Sequence, residues 1–231
     1  MTRPGPPVHV LVPADQDPGE HRYHDDRSLG RGSLSDVRLV HDRLLRRQVA
    51  MKILRARFAD RDDVRVRFID EARATAQLHH PNIVSVHEIG CLDDGRPFFT
   101  MDVVEGETFG DLIQAVHRAA VDGAWQSTAE GWSLRRLIDL LRIVCEAVGY
   151  AHARGIVHRD LKPDNVMVGR FGQVQVMDWG LAKVVGRAER AVVTERLNDD
   201  ALATQIGTVA GTPAYMAPEQ ARGDIDGLGP W

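Results

Sequence analysis

β-Compatible residues run through 37–40 and again through 49–54, either side of a polar turn, and the pattern predicts two strands of a small antiparallel sheet. A second pair is expected at 84–89 and 98–104. Between the pairs Val64, Phe68, Ala72, Thr75 and Leu78 recur at helical spacing, with Asp60 as the expected cap and Pro81 as the stop. One helix on a sheet follows. In the second half Ser133 can cap a helix whose Leu134, Leu137, Ile138, Leu141, Val144, Cys145 and Val148 form a broad apolar stripe, ended by a left-handed Gly155. Residues 115–132 lack periodicity and read as a loop enlargement between two helices, and residues 1–22, rich in proline and acids, read as a flexible lead-in. No internal repeat is visible.

Composition narrows this picture. The 231 residues are 43% apolar and 27% charged, enough for a real core. A net charge of −4 gives no basic footprint for nucleic acid and no polybasic anchor for a membrane, and no apolar run approaches the roughly 18 residues of a span. Cys91 and Cys145 fit neither a metal spacing nor a disulfide framework, so they are expected as reduced, partly buried thiols in a cytoplasmic protein. Of 29 basic residues only Lys52, Lys162 and Lys183 are lysines. Lysine meets a phosphate oxygen as a point charge, whereas arginine offers a wide fork, so a lysine kept in so arginine-rich a chain marks a position worth inspecting.

Gly30-x-Gly32-x-x-Ser35-x-Val37 alone is an ordinary glycine turn, and dinucleotide folds use a similar spelling. A dinucleotide site needs a helix directly after the glycines; residues 37–40 favour a strand, which makes a hairpin flap whose N–H groups can cover phosphates. Lys52 lies inside an apolar strand and needs an anion there. Glu71, 19 residues on and between Phe68 and Ala72, can turn toward the sheet and pair with it; the bland alternative is a snorkelling lysine and a solvated glutamate. Asp160 follows a helix end and turn and can face a cleft. Asn165 precedes a strand at 166–168, Gly172 turns it back, and the return strand at 174–177 delivers Asp178 beside Asn165: two oxygen donors suited to Mg²⁺ held by a triphosphate. As isolated residues the acids could equally be loop caps and Asn165 a turn residue. His158 is assigned packing and hydrogen bonding.

With those residues in view, the chain resembles the eukaryotic-like, or Hanks-type, Ser/Thr protein kinases of bacteria. The glycine flap, Val49-Ala50-Met51-Lys52, Glu71, His80-Pro81-Asn82, His158-Arg159-Asp160, Asp178-Trp179-Gly180 and Ala217-Pro218-Glu219 occur in family order over roughly residues 23–221. The resemblance implies an α+β, bilobal protein-kinase-like fold. Its small lobe and hinge would occupy 23–104, a partial, mainly helical large lobe 105–223, and an irregular tail 224–231. It also implies roles. Lys52, held by Glu71, would bind the α- and β-phosphates under Gly30 and Gly32, Asp160 would orient the accepting hydroxyl and Lys162 steady the γ-phosphate. Asn165 and Asp178 would hold Mg²⁺. Val37, Ala50 and Met167 would sandwich adenine, with Met101 as gatekeeper and the backbone of Asp102 and Val104 reading the base edge. Lys162 with Thr212 resembles the serine/threonine subclass, and Thr194, Thr204 and Thr208 are candidate phosphate acceptors able to pair with Arg159.

The chain departs from that pattern in two places. Trp179 stands where the family usually has phenylalanine, and only residues 220–231, without helical periodicity, follow Glu219. Family members continue there with helices that cover the large lobe, so the chain is expected to be truncated, with two or three residues of the 134–148 stripe bare and open to self-association or completion by another chain. The expected function is ATP- and Mg²⁺-dependent phosphorylation of protein serine and threonine; the alternative is a non-catalytic nucleotide-binding relic serving as a scaffold.

Overall fold

The structure is a computed structural model describing residues 22–121, 123–184, 211–224 and 227–229. It opens with three strands, β1 (Tyr23–Arg31), β2 (Ser35–Asp42) and β3 (Arg47–Leu54), then α1 (Asp62–Thr75), β4 (Val86–Cys91) and β5 (Pro97–Met101). The strands form one antiparallel sheet in the order β1-β2-β3-β5-β4. Both predicted strand pairs are present, their ends shifted by up to three residues. β1 joins them although almost every residue in it is exposed, which is why no apolar pattern announced it.

α1 lies on the sheet through Val64, Phe68 and Ala72, and the Phe68 ring meets that of Phe99 at 5.2 Å. The expected Asp60 cap is not used: Arg61 is the N-cap, its guanidinium pairing with Asp63 rather than capping the helix, and Asp62 and Asp63 supply negative charge in the first turn. The helix also stops short of Pro81, ending at Thr75. Leu78 therefore leaves the helix and joins the core of the lower half.

The lower half contains β6 (Gly106–Thr108), α2 (Phe109–Ala119), α3 (Leu134–Ala153), β7 (Ile156–Val157), β8 (Val166–Gly169), β9 (Val174–Val176), β10 (Lys183–Val184) and the single-turn α4 (Pro218–Ala221). The predicted loop at 115–132 is shortened by α2, which continues to Ala119. A reciprocal cap opens that helix, Thr108 Oγ1 accepting from the Asp111 N–H and Asp111 accepting from the Thr108 N–H, and its Phe109, Leu112 and Val116 are buried. Ser133 caps α3 and Gly155 ends it at φ +71°, both as expected. The stripe on α3 is split, however. Leu137, Leu140, Val144, Ala147 and Ala151 are buried, whereas Leu134, Ile138, Leu141 and Cys145 face outward. Cys91 is exposed as well, so the expectation of partly buried thiols is corrected: each sits on an edge strand or an outer helix face.

Asn82 fastens the two halves together. Its side-chain amide donates to the Val174 carbonyl at 2.9 Å, and backbone bonds join Val84 and Asn82 to Val176. The cleft lies beside this seam. Among the described residues no helix is long and apolar enough to cross a membrane.

Candidate active site

β3 places Lys52 opposite Val37 on one side and Phe99 on the other. Its ammonium reaches Glu71 Oε1 of α1 at 2.5 Å and Asp178 Oδ1 at 3.2 Å, so the paired reading of Lys52 and Glu71 is the one the fold adopts over the snorkelling one. Burial opposes the Lys52 charge, but Glu71 and then Asp178 outweigh it and hold its pKa above the ordinary lysine value. Burial pushes the Glu71 carboxyl up, with Lys52 drawing it back. Asp178, at the open edge of the cleft, is held below the usual carboxylate range by Lys52. Gly180 explains how these groups come so close: a Cβ there would stand 3.1 Å from Glu71 Oε2 and 3.3 Å from Asp178 Oδ1.

A second constellation sits on the loop between β7 and β8. Asp160 is buried, and its Oδ1 accepts from the Thr212 hydroxyl at 2.7 Å. Lys162 Nζ donates to the same hydroxyl at 3.0 Å and lies 3.5 Å from Asp160 Oδ2. Asn165 donates through Nδ2 to the Asp160 carbonyl at 2.7 Å and more weakly to Oδ2 at 3.4 Å, which directs its Oδ1 elsewhere. Met177 N–H donates to the Asn165 carbonyl at 2.8 Å, so the β8–β9 hairpin sets Asn165 and Asp178 side by side along the backbone. Arg159 and Asp178 both adopt left-handed φ, 64° and 59°, at a cost of roughly 1–3 kcal/mol each that the surrounding contacts must offset.

His158 lies beneath this loop, 2% exposed. The Asp160 N–H donates to its Nδ1 at 3.3 Å and Nε2 contacts the Met177 carbonyl at 2.9 Å, an arrangement that fixes the neutral tautomer with the proton on Nε2. Burial accordingly pushes its pKa down. Trp179 packs against it, ring centroids 4.5 Å apart and tilted by 53°, and donates its indole N–H to the Val176 carbonyl, so the larger ring is buried with its polar atom satisfied.

A cavity of about 220 Å³ opens between sheet, α1 and the lower hairpin. Of the residues expected there it takes in Gly30, Gly32, Val37, Lys52, Glu71, Met101 and Asp178. Ala50, Asp102, Val104 and Met167 are not among its lining residues; Ala50 is covered where it pairs with Met101, and the Asp102 N–H is already donated to Ser85. Thr75, Phe99 and Met177 line the cavity without having been picked out from the sequence for that part. The helical spacing of Thr75 and the apolar run at Phe99 read only as core. Thr194, Thr204 and Thr208 lie outside the described residues.

Among the described residues no three His, Cys, Asp or Glu side chains converge as a metal cage. Magnesium needs none: one or two protein oxygens plus phosphate oxygens suffice, and the Asp178 carboxylate with the Asn165 amide oxygen fit that hard-donor set.

Comparison with known proteins agrees with this geometry. Residues 23–225 match the family described as the protein kinase domain. The chain is 37% identical over 205 residues to the serine/threonine-protein kinase PknD of Protochlamydia amoebophila, covering 87% of this chain and 21% of that protein. It is 35% identical over 206 residues to the PknD of Chlamydia caviae and 36% over 211 to that of Chlamydia trachomatis, again over 87% of this chain and 22% of theirs. The chain thus spans about a fifth of the length of these relatives.

Proposed function

The chain belongs to the protein kinase family, and from that premise we propose that its cleft transfers the γ-phosphoryl group of ATP to serine or threonine hydroxyls of proteins. The observation that carries the reading is a hydroxyl held jointly by a buried carboxylate and an ammonium: Thr212 Oγ1 between Asp160 and Lys162. A substrate hydroxyl needs that environment, a carboxylate to orient it and take its proton, with a cation beside it for the charge on the migrating group. The bond from the γ-phosphorus to the β-phosphate oxygen breaks, one to the hydroxyl oxygen forms, the proton passes to Asp160, and ADP leaves. Little covalent chemistry is asked of the protein; positioning and charge stabilisation do the rest.

Lys52, fixed by Glu71, is placed to meet the α- and β-phosphates, and the backbone N–H groups of the Gly30–Gly32 turn are placed to cover them. Asp178 and Asn165 are the residues that would hold magnesium, which when bound neutralises phosphate oxygens. Val37 flanks the adenine position beneath the flap, with Ala50 and Met167 assigned to the same sandwich and Asp102 and Val104 to the base edge. The contact of Lys162 with Thr212 and the similarity to serine/threonine-protein kinases support serine/threonine over tyrosine as acceptor.

The test is phosphate transfer from ATP to a generic basic protein by the wild type and by Asp160→Asn. The wild type is expected to transfer, and the variant to lose about 10²- to 10⁴-fold in kcat, the range for a positioned acid–base group, with nucleotide binding retained. Equal background transfer by both, with nucleotide still bound, would replace this reading by that of a non-catalytic nucleotide-binding scaffold.

A further inference from the structure

We propose that Gln220, on the one-turn helix α4, is a positioning residue for the transfer: its side-chain amide clamps the backbone of the catalytic loop at Arg159, immediately before Asp160. The inference rests on the kinase reading of the site. Gln220 is 6% exposed, and its Nε2 donates to the Arg159 carbonyl at 2.6 Å across 61 residues of sequence. Arg159 is the left-handed residue of the loop, and a non-glycine residue stays in that region only where its surroundings over-determine it. Two of the restraints are visible. The guanidinium donates through Nε to the Leu181 carbonyl, and the carbonyl accepts from Gln220.

Gly211 shows how tightly the clamp is built. A Cβ at that position would lie 2.5 Å from Gln220 Nε2 and 2.9 Å from the Arg159 carbonyl oxygen, so the amide occupies the space a side chain at 211 would fill. The next residue, Thr212, is the one whose hydroxyl sits on Asp160. One amide therefore lies at the junction of three backbones: the loop carrying Asp160, the turn carrying Thr212, and α4. Removing the donor takes away this hydrogen bond at a half-buried carbonyl, which is unfavourable. The peptide before Asp160 then loses a restraint and can turn, which shifts the Asp160 carboxylate away from the Thr212 hydroxyl and Lys162. A displacement of about 1 Å in such a site is enough for a drop on the order of 10²-fold in rate.

The experiment compares the full chain with Gln220→Met, which keeps length without a donor, and Gln220→Glu, which keeps shape and regains a donor only when protonated. Assays run below the melting temperature of the least stable of the three. Both variants are expected to lose at least about tenfold in kcat with the KM for ATP within about twofold of wild type, as for an interaction that matters only to the reacting geometry. A buried carboxyl facing a carbonyl has a raised pKa, so the activity of Gln220→Glu relative to wild type should recover as the pH falls toward about 5, while Gln220→Met should not. Hydrogen exchange supplies a readout independent of activity. Amides of 158–165 should exchange faster in Gln220→Met, by about fivefold or more, with those of 47–54 unchanged. Wild-type kcat in both variants, or a lowered melting temperature with kcat and loop exchange unaltered, would overturn the proposal. Should the wild type itself transfer no phosphate, the kinase reading fails separately, and the exchange comparison still decides whether Gln220 holds the loop.

Discussion

Neutral His158 makes the site sensitive to acid. Its two ring nitrogens are matched to one donor and one acceptor, and protonation would remove the acceptor while burying a charge. Burial lowers the pKa of His158, and also those of His87 and His152, below the ordinary value. In the unfolded chain these rings take up protons as the pH falls below about 6.5, while the folded chain resists until its depressed values are reached, so stability is full above that pH and is lost as the pH falls. The unfolding free energy from urea titrations should decline from pH 7 to pH 5, with a slope approaching about 1.4 kcal/mol per pH unit for each proton withheld, and the urea midpoint should fall with it. A flat midpoint over that interval would contradict the account. The assignment of His158 to packing came from its neighbours in the chain; that its ring is hydrogen-bonded on both nitrogens required Met177, 19 residues away, to be in place.

On α3, neighbours in sequence have opposite fates. Leu140 is 6% exposed and packs in the lower core, whereas Leu141 is 49% exposed. Leu140→Ala should therefore cost about 2–5 kcal/mol, as for truncation of a core leucine, and Leu141→Ala about 1 kcal/mol or less, both read from urea unfolding. Comparable losses for the two would mean that the outward face is covered in solution. Periodicity located this helix, and the local signals of Ser133 and Gly155 located its ends. It could not divide the stripe, because leucine is equally apolar on either side and only the position of β9 and α2 selects the face that is buried. For the same reason α2 was only partly legible. Its reciprocal cap at Thr108 and Asp111 and the spacing of Phe109, Leu112 and Val116 were available signals, while Asp60 attracted a capping role that Arg61 fills by backbone geometry alone.

Across the whole molecule, Lys52 from the sheet, Glu71 from α1 and Asp178 from the lower hairpin make one electrostatic joint between the halves. Glu71→Ala should destabilise the fold by about 3 kcal/mol, the lower end for breaking a buried pair because Asp178 still faces Lys52, and should raise the KM for ATP by freeing the lysine to move. Unchanged stability and an unchanged KM would show that the joint is not what orders the cleft. The kinase-like α+β architecture was legible through the family resemblance that the ordered motifs carry, whereas residue chemistry by itself led only as far as a strand lysine that needs an anion and a helix glutamate able to supply it. That much the amino-acid order determined by itself: which groups the cleft would hold, and most of the strands and helices that carry them, because motifs and periodicities are properties of neighbouring residues. The tertiary structure alone decided which half of α3 is covered, that Thr75 and Met177 join the cavity wall, and that Gln220 reaches Arg159. Those outcomes depend on segments tens of residues apart arriving at one place, and burial is a relation between such segments that no single stretch of the chain contains.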